Sequence, residues 1–330
     1  MIVSFGEALV DLYGMPEGST LDTAESFVPF PGGAPANVAS TLGRLGVPVR
    51  FCGAVGADAH GARLLQHLKG SGVDVSAAPT VAQRTGITFV ERLGGGRRSF
   101  LFYRQGGADL ALSEALLEAL PVAPWEAMSA LALGTSALVS PSLEGAARRL
   151  LREARAREAR VCVDLNVRAH LWQDRARFQS ALDTLCAHAW LLKASEEDLQ
   201  ALGREPTLEN LQALAPGAFA VLTRGARGAE AQVWDTTLHL PTSALEERDP
   251  VGAGDAFLAG LLAVLERGGS ALWSTVEGWR RAVAFGQALG ALAVGALGPV
   301  EGLRCVGPRE LEGALAGDGG MVSNAGHGAR

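Results

Sequence analysis

Residues 249–257, DPVGAGDAF, place two glycines and two carboxylates directly before an apolar run that predicts a helix over 256–267. At a helix N-terminus, free backbone N–H groups and the helix dipole make an anion site without any lysine. The donors here belong to Gly252, Ala253 and Gly254. Asp255 falls in the first turn, where it can take a proton from a hydroxyl that attacks a bound phosphate. The stretch therefore predicts phosphoryl transfer, against the alternative that Asp255 only caps its helix.

Two other glycine motifs that bind nucleotides do not fit this stretch. The dinucleotide fingerprint needs a third glycine where this chain has Phe257, and it usually opens its domain, which disfavours an oxidoreductase. A P-loop needs a glycine followed by lysine, but the only two lysines, Lys69 and Lys193, both follow leucine.

The composition indicates a large core and no basic surface. Of 330 residues, 48% are hydrophobic and 19% are charged, and the formal net charge is −6. A negative net charge gives no footprint for nucleic acid, so we expect a small-molecule partner.

Cysteine usage and the N-terminus both predict a cytoplasmic protein. The cysteines form no CxxC pair, which argues against a disulfide framework or a zinc site; they are Cys52, Cys162, Cys186 and Cys305. The first residues, MIVSFGEALVDLYG, lack the basic region of a signal peptide. Residues 282–300 are uncharged, but glycines interrupt them, so they predict a buried helix that runs into a glycine-rich loop rather than a membrane span.

Short apolar runs alternate with amphipathic stretches along most of the chain. The predicted strands are 2–5, 50–55, 131–134, 160–166, 190–193 and 218–223, and the predicted helices include 34–46, 62–72, 142–158, 196–203 and 256–267. This alternation predicts an α/β fold with a mainly parallel central sheet that is covered by helices.

Two segments break the alternation. Residues 8–31 and 85–105 predict strands without helices, and Gly94 to Gly96 separate two alternating arms as in a β-hairpin. A small sheet inserted in an α/β body predicts a lid over a site at the carboxyl edge of the main sheet. We expect one domain over 1–330 with this lid, whose uncovered face is a candidate dimer interface, and a loose tail over the last dozen residues.

The stretch 249–257 resembles the second signature of the ribokinase-like (PfkB) family of sugar kinases. Other landmarks of that family follow in order from residue 6 to about residue 300: GEALVDLYG (6–14), PGGAPANVASTLGRLG (31–46), GAVGADAHGARLLQHLKGSGVD (53–74), FYRQGGADLAL (102–112), DLNVRAHLW (164–172), LLKASEEDLQALG (191–203) and VLTRGARGA (221–229). The segments GEALVD, PGGAPANVA and FYRQGGADLAL are most similar to fructokinases. The resemblance implies a ribokinase-like fold.

The resemblance also implies roles for individual residues on the sugar side. The glycine turn would form the anion hole, and Asp255 would deprotonate the sugar hydroxyl. The sugar would be held by Asp11, Gly32, Gly33 and Asn37, with Arg104 and Arg168 at the sugar or phosphoryl end of the cleft. A carboxylate accepts from two neighbouring hydroxyls, and asparagine both donates and accepts, which agrees with these roles. The alternatives are a plain turn for the glycines, a capping contact for Asn37 and a surface salt bridge for Arg168.

On the nucleotide side the resemblance implies an ATP site that consists of Lys193, Ser195, Thr223, Gly225 and Gly228. Asp198 would order the water shell of Mg²⁺, although the family more often has a glutamate there, and Glu197 is a candidate to compensate. Asp249 and the Val251 carbonyl resemble ligands of a monovalent cation such as K⁺, which would steady the anion hole.

The resulting prediction is an ATP- and Mg²⁺-dependent sugar kinase that converts D-fructose to fructose 6-phosphate. The turn and the segment TRGARG (223–228) are closer to 2-keto-3-deoxygluconate kinases, but they would face the phosphates rather than the sugar. The alternatives are therefore a 2-keto-3-deoxygluconate kinase, a nucleoside kinase, or a non-catalytic sugar- or nucleotide-binding member of the fold.

Overall fold

The computed structural model describes residues 1–93, 97–120, 125–242 and 246–317. Its strands, in chain order, are β1 (Ile2–Phe5), β2 (Leu9–Met15), β3 (Ser26–Gly32), β4 (Val49–Cys52), β5 (Val55–Gly56), β6 (Asp74–Ala77), β7 (Thr80–Val81), β8 (Ile87–Arg92), β9 (Arg98–Tyr103), β10 (Ala130–Gly134), β11 (Arg160–Asp164), β12 (Leu191–Ser195), β13 (Phe219–Thr223), β14 (Ala229–Val233) and β15 (Thr236–Leu240). The main sheet has nine strands in the order β15-β14-β13-β12-β11-β10-β1-β4-β6. Its pairs are parallel from β6 to β13, and only β14 and β15 pair antiparallel, so the predicted α/β class is confirmed.

Helices cover both faces of the main sheet. They are α1 (Ala34–Arg44), α2 (Ala59–Gly70), α3 (Glu114–Glu118), α4 (Pro141–Ala156), α5 (Arg175–His188), α6 (Glu196–Ala201), α7 (Leu208–Gln212), α8 (Ala253–Gly268), α9 (Ser270–Trp273), α10 (Val276–Ala293) and α11 (Pro308–Ala316). In β1, Ile2 packs into an apolar cluster with α1, α8 and α10, whereas Val3 and Phe5 pack into a second cluster with α4 and α5. Successive side chains of a strand point to opposite faces of the sheet, so β1 contributes to an apolar cluster on each face.

Some predicted bounds shift for local reasons. The helix predicted at 62–72 begins at Ala59, because the Asp58 carboxylate caps it by accepting the Gly61 N–H at 2.8 Å. The strand predicted at 50–55 already ends at Cys52. A Cβ on Gly53 would lie 2.1 Å from the Gly6 carbonyl oxygen, so the backbone that follows β1 lies close against the residue that follows β4.

The uncharged stretch 282–300 behaves as predicted. Its first part belongs to α10, whose residues are largely buried, and turns follow the helix. Across the described ranges, no helix combines the length and apolarity needed to cross a membrane.

A separate four-stranded sheet, hereafter the small sheet, has the order β3-β2-β8-β9 and lies within the two segments that break the alternation. β8 and β9 pair antiparallel, as predicted for a hairpin. The predicted hairpin glycines, Gly94 to Gly96, and the predicted tail over 319–330 lie outside the described residues.

The topology brings several chain segments to one edge of the main sheet. Because β1, β10, β11, β12 and β13 run parallel, their carboxyl ends meet there. The chain passes directly from β1 into β2, which joins the small sheet to the same edge. Ligands of open α/β sheets bind outside such an edge.

Candidate active site

A cleft of about 710 Å³ lies between the carboxyl edge, the small sheet and the start of α8. It is lined by most of the predicted site residues: Asp11, Gly33, Asn37, Arg104, Arg168, Lys193, Ser195, Asp198, Thr223, Gly225, Val251, Gly252, Ala253, Gly254 and Asp255. Three predicted residues, Gly32, Gly228 and Asp249, do not line it. Segments that are far apart in the sequence therefore meet in one concave site.

The glycine turn has the geometry of an anion site. Gly252 has a left-handed backbone (φ 83°), and a Cβ there would lie 3.1 Å from the Val300 nitrogen, so glycine is required. Among the described residues, the backbone N–H groups of Gly252, Gly254 and Asp255 have no backbone carbonyl to which they donate a hydrogen bond. The Ala253 N–H instead donates to the Pro250 carbonyl at 3.3 Å. The turn thus leaves three donors at the helix start for a bound anion.

Asp255 lies in the first turn of α8, as predicted, and Asn37 of α1 orients it. The Asn37 Nδ2 group donates to Asp255 Oδ2 at 2.8 Å. Burial raises the pKa of Asp255 to about 7, and Asp164 adds to the increase, while the Asn37 hydrogen bond and Lys193 oppose it. A carboxylate with a pKa near neutrality accepts a proton from a substrate more readily than an ordinary aspartate does.

Oxygen acceptors cluster beside Asp255 at one end of the cleft. Asp11 of β2 lies opposite Thr88 of β8, and burial raises the pKa of Asp11 to about 7, with a further contribution from Asp255. Glu7 lines the same end and accepts a hydrogen bond from Ser136 Oγ at 2.8 Å. A Cβ on Gly32 would lie 2.1 Å from Asp11 Oδ2, so Gly32 makes room for that carboxylate rather than for a ligand.

The two predicted arginines differ in their partners. Arg104 is buried and forms an ion pair with buried Asp109, with its Nε at 2.8 Å from Asp109 Oδ2. Arg168 forms no ion pair with any described residue; its guanidinium donates to the Val167 carbonyl at 3.2 Å and lies 6.0 Å from the Phe100 ring centroid. Arg168 is therefore the more available cation for an anionic ligand.

Lys193, at the end of β12, forms a buried ion pair with Asp164 at the end of β11. Its Nζ lies 2.8 Å from Asp164 Oδ2. Burial lowers the pKa of Lys193, but Asp164, Asp198 and Asp255 together raise it more, so the pKa lies above its usual value and the ammonium stays charged. A Cβ on Gly254 would lie 3.4 Å from Nζ, which puts this charge beside the glycine turn.

Asp198 has a structural task that the sequence did not indicate. Its Oδ1 accepts the Val167 N–H at 2.6 Å, and its Oδ2 accepts the Ser195 N–H at 2.8 Å, which completes a capping box at the start of α6. Glu197 also lines the cleft and forms no ion pair among the described residues. The described chain contains no cluster of three acidic, histidine or cysteine side chains that would cage a metal.

Two carboxylates of the cleft are nevertheless suited to hold Mg²⁺ that binds together with a nucleotide. Mg²⁺ keeps several waters and is usually held by substrate phosphates together with one or two carboxylates. Glu197 at the cleft surface and the unpartnered Oδ1 of buried Asp164 have the chemistry for that. Of these two, only Glu197 was named as a candidate from the sequence.

The predicted site for a monovalent cation at Asp249 does not fit. The Asp249 side chain is fully buried, and its Oδ1 accepts from Arg98 Nε at 3.0 Å. Its Oδ2 accepts the Gly298 N–H at 2.9 Å. A cation at this carboxylate would have to displace the guanidinium.

Several residues that line the cleft are absent from the sequence-based prediction. They are Glu7, Thr88, Arg98, Phe100, Phe102, Ser136, Asp164, Asn166 and Gln287. The residues of β9 could have been found from the sequence, because side chains alternate along a strand. This alternation directs residues 98, 100 and 102 into the cleft and leaves Leu101 and Tyr103 exposed. Of the predicted nucleotide residues, Gly228 instead turns the chain, since a Cβ there would lie 2.1 Å from the Leu240 carbonyl oxygen.

The chain is similar in sequence to known proteins along most of its length. The fructokinase-1 of Oryza sativa subsp. japonica is 31% identical over 317 residues, covering 94% of this chain and 96% of that protein. The fructokinase of Salmonella typhimurium is 35% identical over 303 residues, covering 90% and 94%.

Solved structures share the fold. The fructokinase of Vibrio cholerae O395, in its fructose-, ADP- and calcium-bound form, has a TM-score of 0.82 at 27% identity and covers 95% of this chain and 98% of that one. A chain from E. coli in complex with ATP and Mg²⁺ has a TM-score of 0.82 at 26% identity and covers 96% and 98%. A profile of the pfkB family carbohydrate kinases matches residues 1–304. With its ordered signatures, its glycine turn and its cleft, the chain belongs to the pfkB family of carbohydrate kinases.

Proposed function

We propose that the protein is an ATP-dependent fructokinase that phosphorylates D-fructose at its 6-hydroxyl. As a member of a carbohydrate kinase family, it is a phosphotransferase that acts on a sugar hydroxyl. Relatives named fructokinase, at 31–35% identity over most of both chains, support fructose as the sugar.

The observation that carries the choice of fructose is the excess of oxygen acceptors at the sugar end. Glu7, Asp11 and Asn37 offer acceptors to the hydroxyls of a neutral ketose, whereas a sugar acid would bring its carboxylate against two acidic side chains. Arg104, which would otherwise attract such a carboxylate, is already paired with Asp109.

In the proposed mechanism, Asp255 takes the proton of the 6-hydroxyl, and its second oxygen stays fixed by Asn37. The hydroxyl oxygen forms a bond to the γ-phosphorus of ATP while the bond from that phosphorus to the β–γ bridging oxygen breaks, which releases ADP. The N–H groups of the glycine turn and the Lys193 ammonium stabilise the negative charge of the transferring group. These groups are in position before the reaction, so little reorganisation is needed.

Mg²⁺ would bind with the nucleotide, and Glu197 and Asp164 are the residues that we propose to hold its water shell. When bound, it neutralises charge on the phosphates. Asp198, which the sequence nominated, would support this region by fixing the start of α6. Thr223, Gly225 and Gln287 would line the nucleotide end. K⁺ is not part of the proposal, because the Asp249 carboxylate already forms an ion pair with Arg98.

We propose that the small sheet acts as a lid and that its outer face pairs with a second copy of the chain. That face exposes large apolar side chains, Phe27, Leu101 and Tyr103, of which Tyr103 is 61% exposed. Contiguous apolar surface of this kind usually marks an interaction site. Light scattering should give twice the chain mass, and Tyr103→Arg should shift the protein towards monomer; a wild-type monomer at micromolar concentration would reject the dimer.

A 2-keto-3-deoxygluconate kinase is the second candidate, and Arg168 is the observation that favours it. This cation lacks an acidic partner in the described chain and is free to meet a substrate carboxylate. In the fructose proposal Arg168 instead contacts the transferring phosphoryl group.

The test is a side-by-side measurement of kcat/KM for D-fructose, 2-keto-3-deoxygluconate and adenosine with saturating Mg²⁺-ATP, with Asp255→Asn as the inactive control. We expect the highest value for fructose, with the product identified as the 6-phosphate by NMR. A clear preference for the keto-deoxy acid would replace fructose as the substrate. No phosphorylation of D-fructose would reject the fructokinase proposal.

A further inference from the structure

A buried ion pair connects the small sheet to the loop that carries the glycine turn. Arg98 is the first residue of β9, and its Nε donates to Asp249 Oδ1 at 3.0 Å. The Arg98 side chain is 3% exposed and the Asp249 side chain is 0% exposed. An arginine is rarely buried to this extent unless its charge is paired.

The same arginine makes a second contact with this loop. Its Nη2 donates to the Arg248 carbonyl at 2.8 Å, so the guanidinium holds two consecutive residues, 248 and 249. Gly252, the N-cap of α8, follows three residues later. Movement of the guanidinium would therefore be transmitted to the donors of the anion site.

The Asp249 carboxylate also holds the glycine turn, through a contact of each of its oxygens. Its Oδ1 also accepts the Val251 N–H at 3.4 Å, and its Oδ2 accepts the Gly298 N–H at 2.9 Å. The buried Tyr13 hydroxyl lies near the same carboxylate, and burial together with that negative charge raises the pKa of Tyr13. A neutral tyrosine supplies no positive charge. Arg98 is thus the cation among the described residues that balances Asp249.

We infer that Arg98 is a positioning residue that performs, from within the chain, the charge compensation that a bound K⁺ would supply at Asp249. The inference rests on the proposed kinase function and extends it. The guanidinium balances the charge of the Asp249 carboxylate and holds the glycine turn in its anion-binding shape. Because the guanidinium belongs to β9, it connects the shape of the turn to the position of the small sheet.

The first experiment needs no variant and no substrate. The melting temperature of the wild-type protein is measured in KCl and in tetramethylammonium chloride at equal ionic strength, and kcat for the best sugar is measured in the same two salts. We expect no difference in either quantity. A higher melting temperature or a several-fold higher kcat in KCl would show that K⁺ binds and would overturn the inference. The melting comparison stays valid even if the proposed kinase function is wrong.

The second experiment compares Arg98→Ala with Arg98→Lys and with Arg97→Ala, an exposed neighbour that removes the same charge. We expect Arg98→Ala to lower kcat by at least about tenfold, since misplaced catalytic donors cost up to about 10²-fold, while the KM for the sugar changes less. Arg98→Lys should recover part of the loss because it restores the charge, and Arg97→Ala should match the wild type. Equal kcat in the two alanine variants, or a lysine variant no better than Arg98→Ala, would refute the role of the charge. Should Arg98→Ala fail to fold, the lysine variant and the wild-type salt comparison still decide.

Discussion

Asp255→Asn should abolish turnover and at the same time stabilise the protein at neutral pH. Asparagine has the same shape as aspartate, and its side-chain oxygen can still accept the Asn37 hydrogen bond that now reaches Asp255 Oδ2 at 2.8 Å. Only the charge and the ability to take a proton are lost. Losing a positioned base typically lowers kcat by about 10²–10⁴-fold.

The gain in stability follows from the pKa of Asp255, which rises from 3.8 to about 7 on folding, chiefly through burial. Between these values the native protein binds more protons than the unfolded chain, so the free energy of unfolding falls as pH rises from about 4 to about 7. Above pH 7 the carboxyl group is ionised in both states, and the folded protein bears the full cost of a buried carboxylate. The difference of about three pKa units between the two states corresponds to a loss of about 4 kcal/mol in the free energy of unfolding. Water in the cleft reaches the carboxylate, which makes this figure an upper limit.

Asp255→Asn removes that cost. At pH 8 the variant should be more stable than the wild type by up to about 4 kcal/mol, or about 6 °C in melting temperature for a chain of 330 residues. The two melting curves should approach each other as the pH falls to 4, because the native carboxyl group is then protonated and the unfolded one, with its pKa of 3.8, is about half protonated. Asp235→Asn, at an exposed residue, is the matched control and should change neither activity nor stability.

The measurements are denaturant or thermal melts from pH 4 to pH 8, together with turnover of the best sugar. A variant no more stable than the wild type at pH 8 would refute the argument from burial. A variant that keeps turnover within tenfold of the wild type would refute Asp255 as the base.

Four further predictions concern the same cleft. First, kcat/KM should fall as pH drops below about 7, because Asp255 becomes protonated; a flat profile from pH 6 to pH 8 would contradict its pKa. Second, Asn37→Ala removes a hydrogen bond that lowers this pKa, so the acid limb of the profile should move to higher pH, and an unmoved limb would show that Asn37 does not act on Asp255. Third, Gly254→Val puts a side chain beside Lys193 Nζ and should lower both turnover and affinity for ATP, measured by steady-state kinetics and calorimetry; unchanged values would exclude the turn from the phosphate site. Fourth, Lys193→Met leaves Asp164 buried without its partner and should cost about 3–5 kcal/mol in urea unfolding; the double variant with Asp164→Leu should recover part of the loss, and no recovery would show that the lysine does not act through the pair.

The parts of the site that depend on local sequence could be predicted. The glycine turn, the start of α8 and Asp255 in its first turn are all encoded within 249–257, because a helix start and its donors are properties of neighbouring residues. The parallel strands β1, β10, β11, β12 and β13 were also predictable, since each is a buried apolar run. The strands β14 and β15 were not, because AEAQV and TTLHL are short and half polar.

Contacts between distant segments could not be read from the sequence. Arg98 and Asp249 are separated by 151 positions, and nothing local in either segment indicates that they form an ion pair. Glu7 and Ser136 are separated by 129 positions and meet only because β1 and β10 lie side by side. The contacts of Asp198 were not predictable for the same reason, since its hydrogen bond with Val167 depends on how β11 and β12 are paired.

The charges around the cleft indicate which groups can balance the negative charge of a bound nucleotide. Three of its basic side chains are paired with buried acids: Arg98 with Asp249, Arg104 with Asp109, and Lys193 with Asp164. Buried pairs hold geometry but add little net charge to the site. In the described chain, Arg168, which has no acidic partner, and the backbone N–H groups of Gly252, Gly254 and Asp255 remain as donors for phosphate. The chain therefore contributes position more than net positive charge, and most of the negative charge of a nucleotide triphosphate has to be balanced by the Mg²⁺ that binds with it.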